Sequence, residues 1–464
     1  MAHACVRATA TTMEIDLAYG RRGARITVPD ENLVAVVEPD WPSVLTQPQT
    51  AVAEALRAPA DGPPLEAVLT KRIGNRSRSV GSAGWRGDWR NFRTVIITSD
   101  PTRPCPNHDV LVPILQALHE AGIPSDAVTI LIATGLHAPT AGEATRRLLG
   151  AEIVSKYRIV NHFGHRPVTH VRLGQTESGT PVALTREWVE ADIRIATGVI
   201  EPHLAAGFSG GRKAVCPGIA ADETVRAFHA PRFIEHERAL PGRLDGNPTH
   251  AEALAVARFA PPHFTVNVTV DRNEHLTGVF AGTMEGAHEA GVALLRQHVA
   301  RPVSEPCDIL VTTSGGRPLD ATFYGAEKGL LPGLPILKPG GTFVWAAALE
   351  DGLGPPEFAA LIAAYPTIER FHEAIMAEGA DVVKDQWALQ NFAKAARHGE
   401  IVLWSDLLDW EDQQHLFVTP VRSLEAGLKW GFEKHGPDAR VVVLPHGPYV
   451  LPYLDTETRR EATC

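Results

Sequence analysis

From residue 95 onward the chain alternates short β-branched runs with helical patterns, and this alternation limits it to few architectures. VIITS (95–99) is followed by a helical stretch VLVPILQALHEAG (110–122), then VTILIAT (128–134), a helix around 143–149 and the run DIRIATG (192–198). Runs that are apolar on consecutive residues mark parallel strands covered by helices on both faces. The series breaks near Arg301-Pro302. A second one follows, with CDILVTTS (307–314), a helix through 326–331, GGTFVWAA (340–347), a helix through 358–364, EIVLWS (400–405) and RVVVLP (440–445). The reading is α/β, with an N-terminal domain over 1–300 and a C-terminal domain over 301–439. The tail, about 440–464, can return to the first domain. Residues 11–60 form a small irregular or β-containing segment, in which MEIDLAYG and ARITVP are short strands around the turn GRRG.

Composition removes several classes of function. The 464 residues carry 44 basic and 54 acidic side chains, a net charge of −10, with no polybasic block, which argues against nucleic acid as a partner. No apolar stretch reaches the ~20 residues a membrane span needs. The first residues, MAHACVRATATTMEI, lack the apolar core of a secretory signal. Five widely spaced cysteines (Cys5, Cys105, Cys216, Cys307 and Cys464) exclude a disulfide scaffold and fit a reducing cytoplasm.

In open α/β sheets, ligands bind beyond the carboxyl ends of the strands. Here those ends carry Asp100-Pro-Thr-Arg103, Gly135-Leu-His137 and Glu201-Pro-His203. The last runs into Gly207-Phe-Ser209-Gly210-Gly211-Arg212-Lys213. After DILVTTS come Gly315-Gly316 and, further on, Tyr324 and Lys328. Each has a plainer reading. Asp100 and Arg103 could close a Pro-rich turn as an ion pair, His137 could cap a helix, and Lys213 could be a solvated lysine. Gly207–Gly211 satisfies G-x-S-x-G, but the preceding HLAA is no β-branched strand, so a serine hydrolase using Ser209 is only an alternative. The Walker pattern fails because Ala214 follows the lysine, and no G-x-G-x-x-G lies at a strand end. What survives is a Gly-rich loop whose amides can approach an anion. His162-Phe-Gly-His165 reads as structural, since no carboxylate or thiol ligand is near in sequence and Gly164 weakens a helical i,i+3 pair. His229, at the end of a helical stripe, reads as a dipole partner.

SDPTRP (99–104), ATGLH (133–137) and PHLAAGFSGGRKAVCPG (202–218), with His229 sixteen residues past Lys213, together resemble the lactate racemase family. The resemblance extends to SGGRPLD (314–320) and FYGAEKGL (323–330). It implies two Rossmann-like α/β domains with the active site in the interdomain cleft, and an isomerase: a racemase or epimerase of a 2-hydroxy acid. In the family, the carbinol is oxidised transiently by hydride transfer to a nickel-pincer nucleotide. That cofactor is a pyridinium mononucleotide with two sulfur-bearing groups and Ni(II). By this resemblance Lys213 holds the cofactor covalently, His229 ligates nickel, and Ser209, Gly207, Gly210 and Gly211 contact the nucleotide. His137 and His203 are the two general bases, one for each face. Arg103 and Lys328 orient the substrate, Asp100 holds Arg103, and Tyr324 and Trp387 line the cleft.

The family commonly has Gln after the tyrosine of the Y-x-x-x-K segment; here it is Gly325. The expectation from this departure is extra volume, which would make malate or a bulkier 2-hydroxy acid plausible beside lactate. The implied partners are that small acid and the cofactor-synthesis enzymes, with neither nucleic acid nor membrane. A non-catalytic nickel-nucleotide carrier is the remaining alternative. It would need the lysine and the metal ligand but not two bases.

Overall fold

The computed structural model describes residues 11–79 and 89–455. Cys5, the start of the N-terminal stretch and the tail beyond 455 with Cys464 lie outside the described residues. Two compact units emerge: one of residues 41–233 and 243–297, the other of 1–40, 234–242 and 298–464.

The first unit is built on a six-stranded sheet in the order Leu276–Gly282, Phe264–Val270, Ile193–Val199, Thr94–Ser99, Val128–Ala133 and Arg158–Asn161. All neighbours are parallel except the hairpin between Phe264–Val270 and Leu276–Gly282. Its core joins Ile96, Ile130, Ile132, Ile193, Ile195, Val266 and Val268 to Val110 and Ile114 of the helix Asn107–Glu120. From Thr94–Ser99 the chain steps outward twice, to Val128–Ala133 and Arg158–Asn161. It then returns to place Ile193–Val199 on the other side of the first strand. That reversal opens a crevice beyond the carboxyl ends of Thr94–Ser99 and Ile193–Val199, where an α/β sheet takes its ligand.

The second unit carries an all-parallel sheet in the order Thr419–Val421, Glu400–Trp404, Leu337–Ala346, Cys307–Thr313, Val441–Leu444 and Leu33–Val36. Its outer strand Leu33–Val36 comes from the start of the chain, so the structure groups these early residues differently from a division at 300. The reason is burial: the hairpin Thr12–Leu17 with Ala24–Pro29 sends Ile15, Leu17, Ile26 and Val28 into a core with Ile309, Val311, Val344 and Val443. Tyr19 stacks on Trp404 at 4.5 Å between ring centroids. The tail also stays in this unit, as Leu451–Leu454 pairs in parallel with Ala300–Val303. The helix expected through 326–331 is instead a set of short turns, Phe323–Ala326, Glu327–Gly329 and Leu331–Gly333, broken by Gly329 and Pro332. Among the described residues no helix is long and apolar enough to cross a membrane. Cys105, Cys216 and Cys307 are free and buried.

His162 is structural. Its ring bonds Thr185 Oγ1 at 2.7 Å and the Ala220 carbonyl at 3.0 Å, and burial pushes its pKa down to about 3. His263, which accepts from the Arg194 amide, is likewise pushed down to about 3 by burial and the Arg194 charge. Both rings are neutral in the fold and take up protons near 6.5 once unfolded. The unfolded state therefore binds more protons below that pH. The stability these rings provide is complete above about 6.5 and is lost as the pH falls toward 3, by up to ~1.4 kcal/mol per pH unit for each ring. Urea titrations at pH 7, 5.5 and 4.5 should show a midpoint that falls steadily on acidification; an unchanged midpoint would contradict this reading.

Candidate active site

The crevice in the first unit brings together the strand-end residues that the sequence singles out. His137, past the strand Val128–Ala133, places Nδ1 2.7 Å from Asp100 Oδ2. Asp100 is 4% exposed, and its other oxygen accepts from the Thr102 hydroxyl at 2.6 Å. Burial alone would raise the Asp100 pKa. The His137 hydrogen bond and charge, the Thr102 hydroxyl and the Arg103 charge outweigh it and bring the pKa below the usual carboxylate value. The ionised Asp100 accepts from His137 Nδ1–H, which directs Nε2 outward from a side chain that is 43% exposed. Asp100 thus orients His137 through its carboxylate, where the sequence reading had it holding Arg103; Arg103 adds only its charge and a backbone bond to the Asp100 carbonyl. The sequence reading also missed Thr102. Its signal was available, since an Asp-x-Thr turn directly after a strand lets the hydroxyl bond the carboxylate locally.

His203 sits in a two-residue pairing, Pro202–His203 with Gly207–Phe208. The amides of Ala205 and Ala206 donate to its Nδ1 at 3.3 and 3.2 Å. Assigned on these bonds, the ring proton lies on Nε2, which is 2.9 Å from Lys213 Nζ. This contact sets the Lys213 amine directly against the His203 ring.

His229 follows the helix Asp222–Phe228, and its Nδ1–H donates to the Val225 carbonyl at 2.7 Å. Burial, the Lys213 charge and the proximity of His137 push its pKa down to about 3. The ring is neutral with Nε2 unprotonated, as a metal ligand must be, and the Nδ1 bond fixes that tautomer. Among the described residues no cluster of three or more His, Cys, Asp or Glu could hold a metal without help.

The Gly-rich loop is organised from within. Ser209 is buried; its hydroxyl donates to the Val199 carbonyl at 2.7 Å and accepts from the Glu201 amide at 2.9 Å. It is a staple between strand end and loop rather than an exposed nucleophile or a donor to a ligand. The amides of Ser209, Gly211 and Lys213 donate to Glu201 O, Asn267 Oδ1 and Gly210 O respectively. Gly207 has φ +76°, and a Cβ there would lie 2.1 Å from the Arg243 carbonyl oxygen. The glycines that suggested a phosphate cradle are thus needed for close packing of the chain. Asn267, on a strand the sequence reading had not identified, is a further residue that shapes the loop.

Tyr324, Lys328 and Trp387 belong to the second unit. The Trp387 indole donates to the Tyr324 hydroxyl at 3.3 Å, and that hydroxyl lies 3.4 Å from Asp385 Oδ1. Burial and the Asp385 charge raise the Tyr324 pKa, keeping the phenol neutral. Gly325 opens no space: a Cβ at this position would lie 2.4 Å from the Leu319 carbonyl oxygen. Gly325 therefore provides no extra volume of the kind its sequence suggests for a bulkier substrate.

Residues 89–242 match the model of the lactate racemase N-terminal domain, and residues 303–451 that of the lactate racemase C-terminal domain. The lactate racemase of Lactiplantibacillus plantarum is 35% identical over 358 residues, 77% of this chain and 84% of that protein. The lactate racemase of Thermoanaerobacterium thermosaccharolyticum is 30% identical over 440 residues, 94% of this chain and 98% of that one. The apoprotein structure from the latter organism superposes with a TM-score of 0.85, covering 95% of this chain and all of its own. A Thermotoga maritima protein shares the fold at a TM-score of 0.62 and 20% identity. With both domain models matched in order and relatives aligned over most of its length, the chain belongs to the lactate racemase family.

Proposed function

We propose that the protein racemises a 2-hydroxy acid, lactate in the first place, with a nickel-pincer nucleotide attached to Lys213 and nickel ligated by His229. The observation that carries this reading is the 2.9 Å contact between Lys213 Nζ and His203 Nε2, which joins a nucleophilic amine to a proton-transfer residue. The donors suit the group: an amine able to form a covalent link, and a neutral imidazole that can fill one position on Ni(II). When bound, the group supplies a hydride acceptor for the substrate α-carbon.

The side chains of this chain handle the proton. His137 Nε2, held by Asp100, takes the hydroxyl proton of one enantiomer, and His203 serves the other face. Each returns the proton when the planar ketone is reduced from its side. Arg103 provides the charge for the carboxylate, where a guanidinium can bind two oxygens at once. Lys328 and Tyr324 are assigned to the substrate by their match to the family motif. Ser209 and the loop glycines keep the Lys213 segment in place and take no part in the chemistry. Chiral chromatography of reactions with enzyme co-expressed with the cofactor-synthesis proteins should give equal D- and L-lactate from either isomer, at least about tenfold faster than malate. No conversion of either acid would overturn the proposal.

Asp100→Asn tests the positioning of His137. An amide can donate to Nδ1 and stabilise the wrong tautomer, so kcat should fall by on the order of 10²-fold or more with KM nearly constant. An unchanged kcat would remove Asp100 from the mechanism.

A further inference from the structure

Beside the Lys213 loop, on residues of the first unit alone, lies a cavity of about 520 Å³. Arg212, which lines it, is 1% exposed. Its Nη2 donates to the Ala206 carbonyl at 2.7 Å, and Nη1 reaches His288 Nε2 at 2.8 Å and the Gly210 carbonyl at 3.4 Å. Its buried Nε–H has no partner, and no Asp or Glu among the described residues pairs with the guanidinium. A buried cation without a counter-ion is costly, and arginine does not escape the cost by losing its proton at neutral pH. His288 and His250, stacked at 6.2 Å, line the same space, and the buried His250 Nδ1 also lacks a partner. Both rings are held neutral, chiefly by burial and then by the Arg212 charge, so the guanidinium is the cavity's one deep charge among the described residues.

The remaining walls define the ligand. Leu244, Leu254 and Met284 are apolar, while Asp245, Glu285 and Glu289 contribute negative charge to the lining. One cation suits one negative charge, the acidic lining opposes a dianion such as phosphate, and the apolar walls suit a hydrocarbon body. We infer that this cavity is a second ligand site, which binds a small organic monocarboxylate through Arg212 with its apolar part against Leu244, Leu254 and Met284.

Titration calorimetry on the full chain at constant ionic strength tests this with acetate, butyrate, hexanoate and inorganic phosphate as probes. Saturable binding is expected, tightening at least about tenfold from acetate to hexanoate as methylenes are buried. Phosphate should bind at least about tenfold more weakly than hexanoate. Arg212→Gln should abolish binding, as should Ala251→Trp, which fills the space from an exposed helix position. Arg103→Gln should leave it intact, separating this cavity from the proposed substrate site. The inference is overturned if no carboxylate saturates, if phosphate matches hexanoate, or if binding survives Arg212→Gln. It is equally overturned if binding disappears in Arg103→Gln. Should Arg212→Gln fail to fold, as circular dichroism would show, Ala251→Trp decides: retained binding overturns the inference.

Discussion

Lys213→Ala is expected to yield a folded protein that carries no covalent nucleotide and has no racemase activity above background. The expectation rests on one atom. Nζ of Lys213 faces His203 Nε2 at 2.9 Å, which sets the amine beside the imidazole. Alanine removes the only group at that position able to form the link. Lys213→Arg separates charge from covalency: it keeps a cation beside His203 but offers no amine nucleophile, so it should be as inactive as alanine. Intact mass after co-expression with the cofactor-synthesis enzymes provides the check, with an added mass of nucleotide size on the Lys213 peptide in the natural protein only. His229→Ala should behave differently, keeping the added mass while losing nickel on gel filtration. A covalent nucleotide in Lys213→Ala would show that another residue holds it.

The second large effect concerns the two histidines. His137→Ala and His203→Ala should each lower net interconversion by roughly 10²–10⁴-fold, the usual cost of removing a general base. The losses should have different origins. With one pure enantiomer, the variant that retains the matching base should still carry out the first half-reaction, seen as a rapid change in the cofactor's absorption; with the other enantiomer it should not. Exchanging enantiomers should exchange the behaviour of the two variants. A histidine that only shapes the pocket would impair both enantiomers alike, and that result would leave a single-base mechanism. Because Asp100 bonds His137, Asp100→Asn should mimic His137→Ala in the half-reaction it blocks.

The sequence shows where strands lie more readily than which strands are neighbours. Consecutive apolar residues at 95–99, 128–134, 192–198 and 307–314 are visible locally because burial on both faces requires them. That Leu33–Val36 pairs with Val441–Leu444 cannot be seen locally, since parallel pairing across most of the chain is decided by tertiary packing. The hairpin of Phe264–Val270 and Leu276–Gly282 had a turn signal in Asp271-Arg-Asn-Glu274, which the search for parallel runs passed over. The proposed site was legible where a candidate residue stands just past a strand end, as Asp100, His137 and His203 do. Hydrogen-bond partners were not legible. In the sequence Asp100 points to Arg103, and only the fold brings His137 to 2.7 Å. Ser209 and the loop glycines looked like ligand contacts because a tightly packed loop and an anion cradle demand the same small residues.

In the proposed reaction the α-carbon exchanges a hydride within the site and never releases a proton to solvent. Racemisation of L-lactate by the nucleotide-loaded enzyme in D2O tests it most directly, with the D-lactate product analysed by mass spectrometry for deuterium at C2. The account predicts D-lactate that retains protium at that carbon through to the racemic end point, since His137 and His203 exchange only the hydroxyl proton. Deuterium at C2 rising in step with conversion would mean abstraction of the α-proton, and would contradict it.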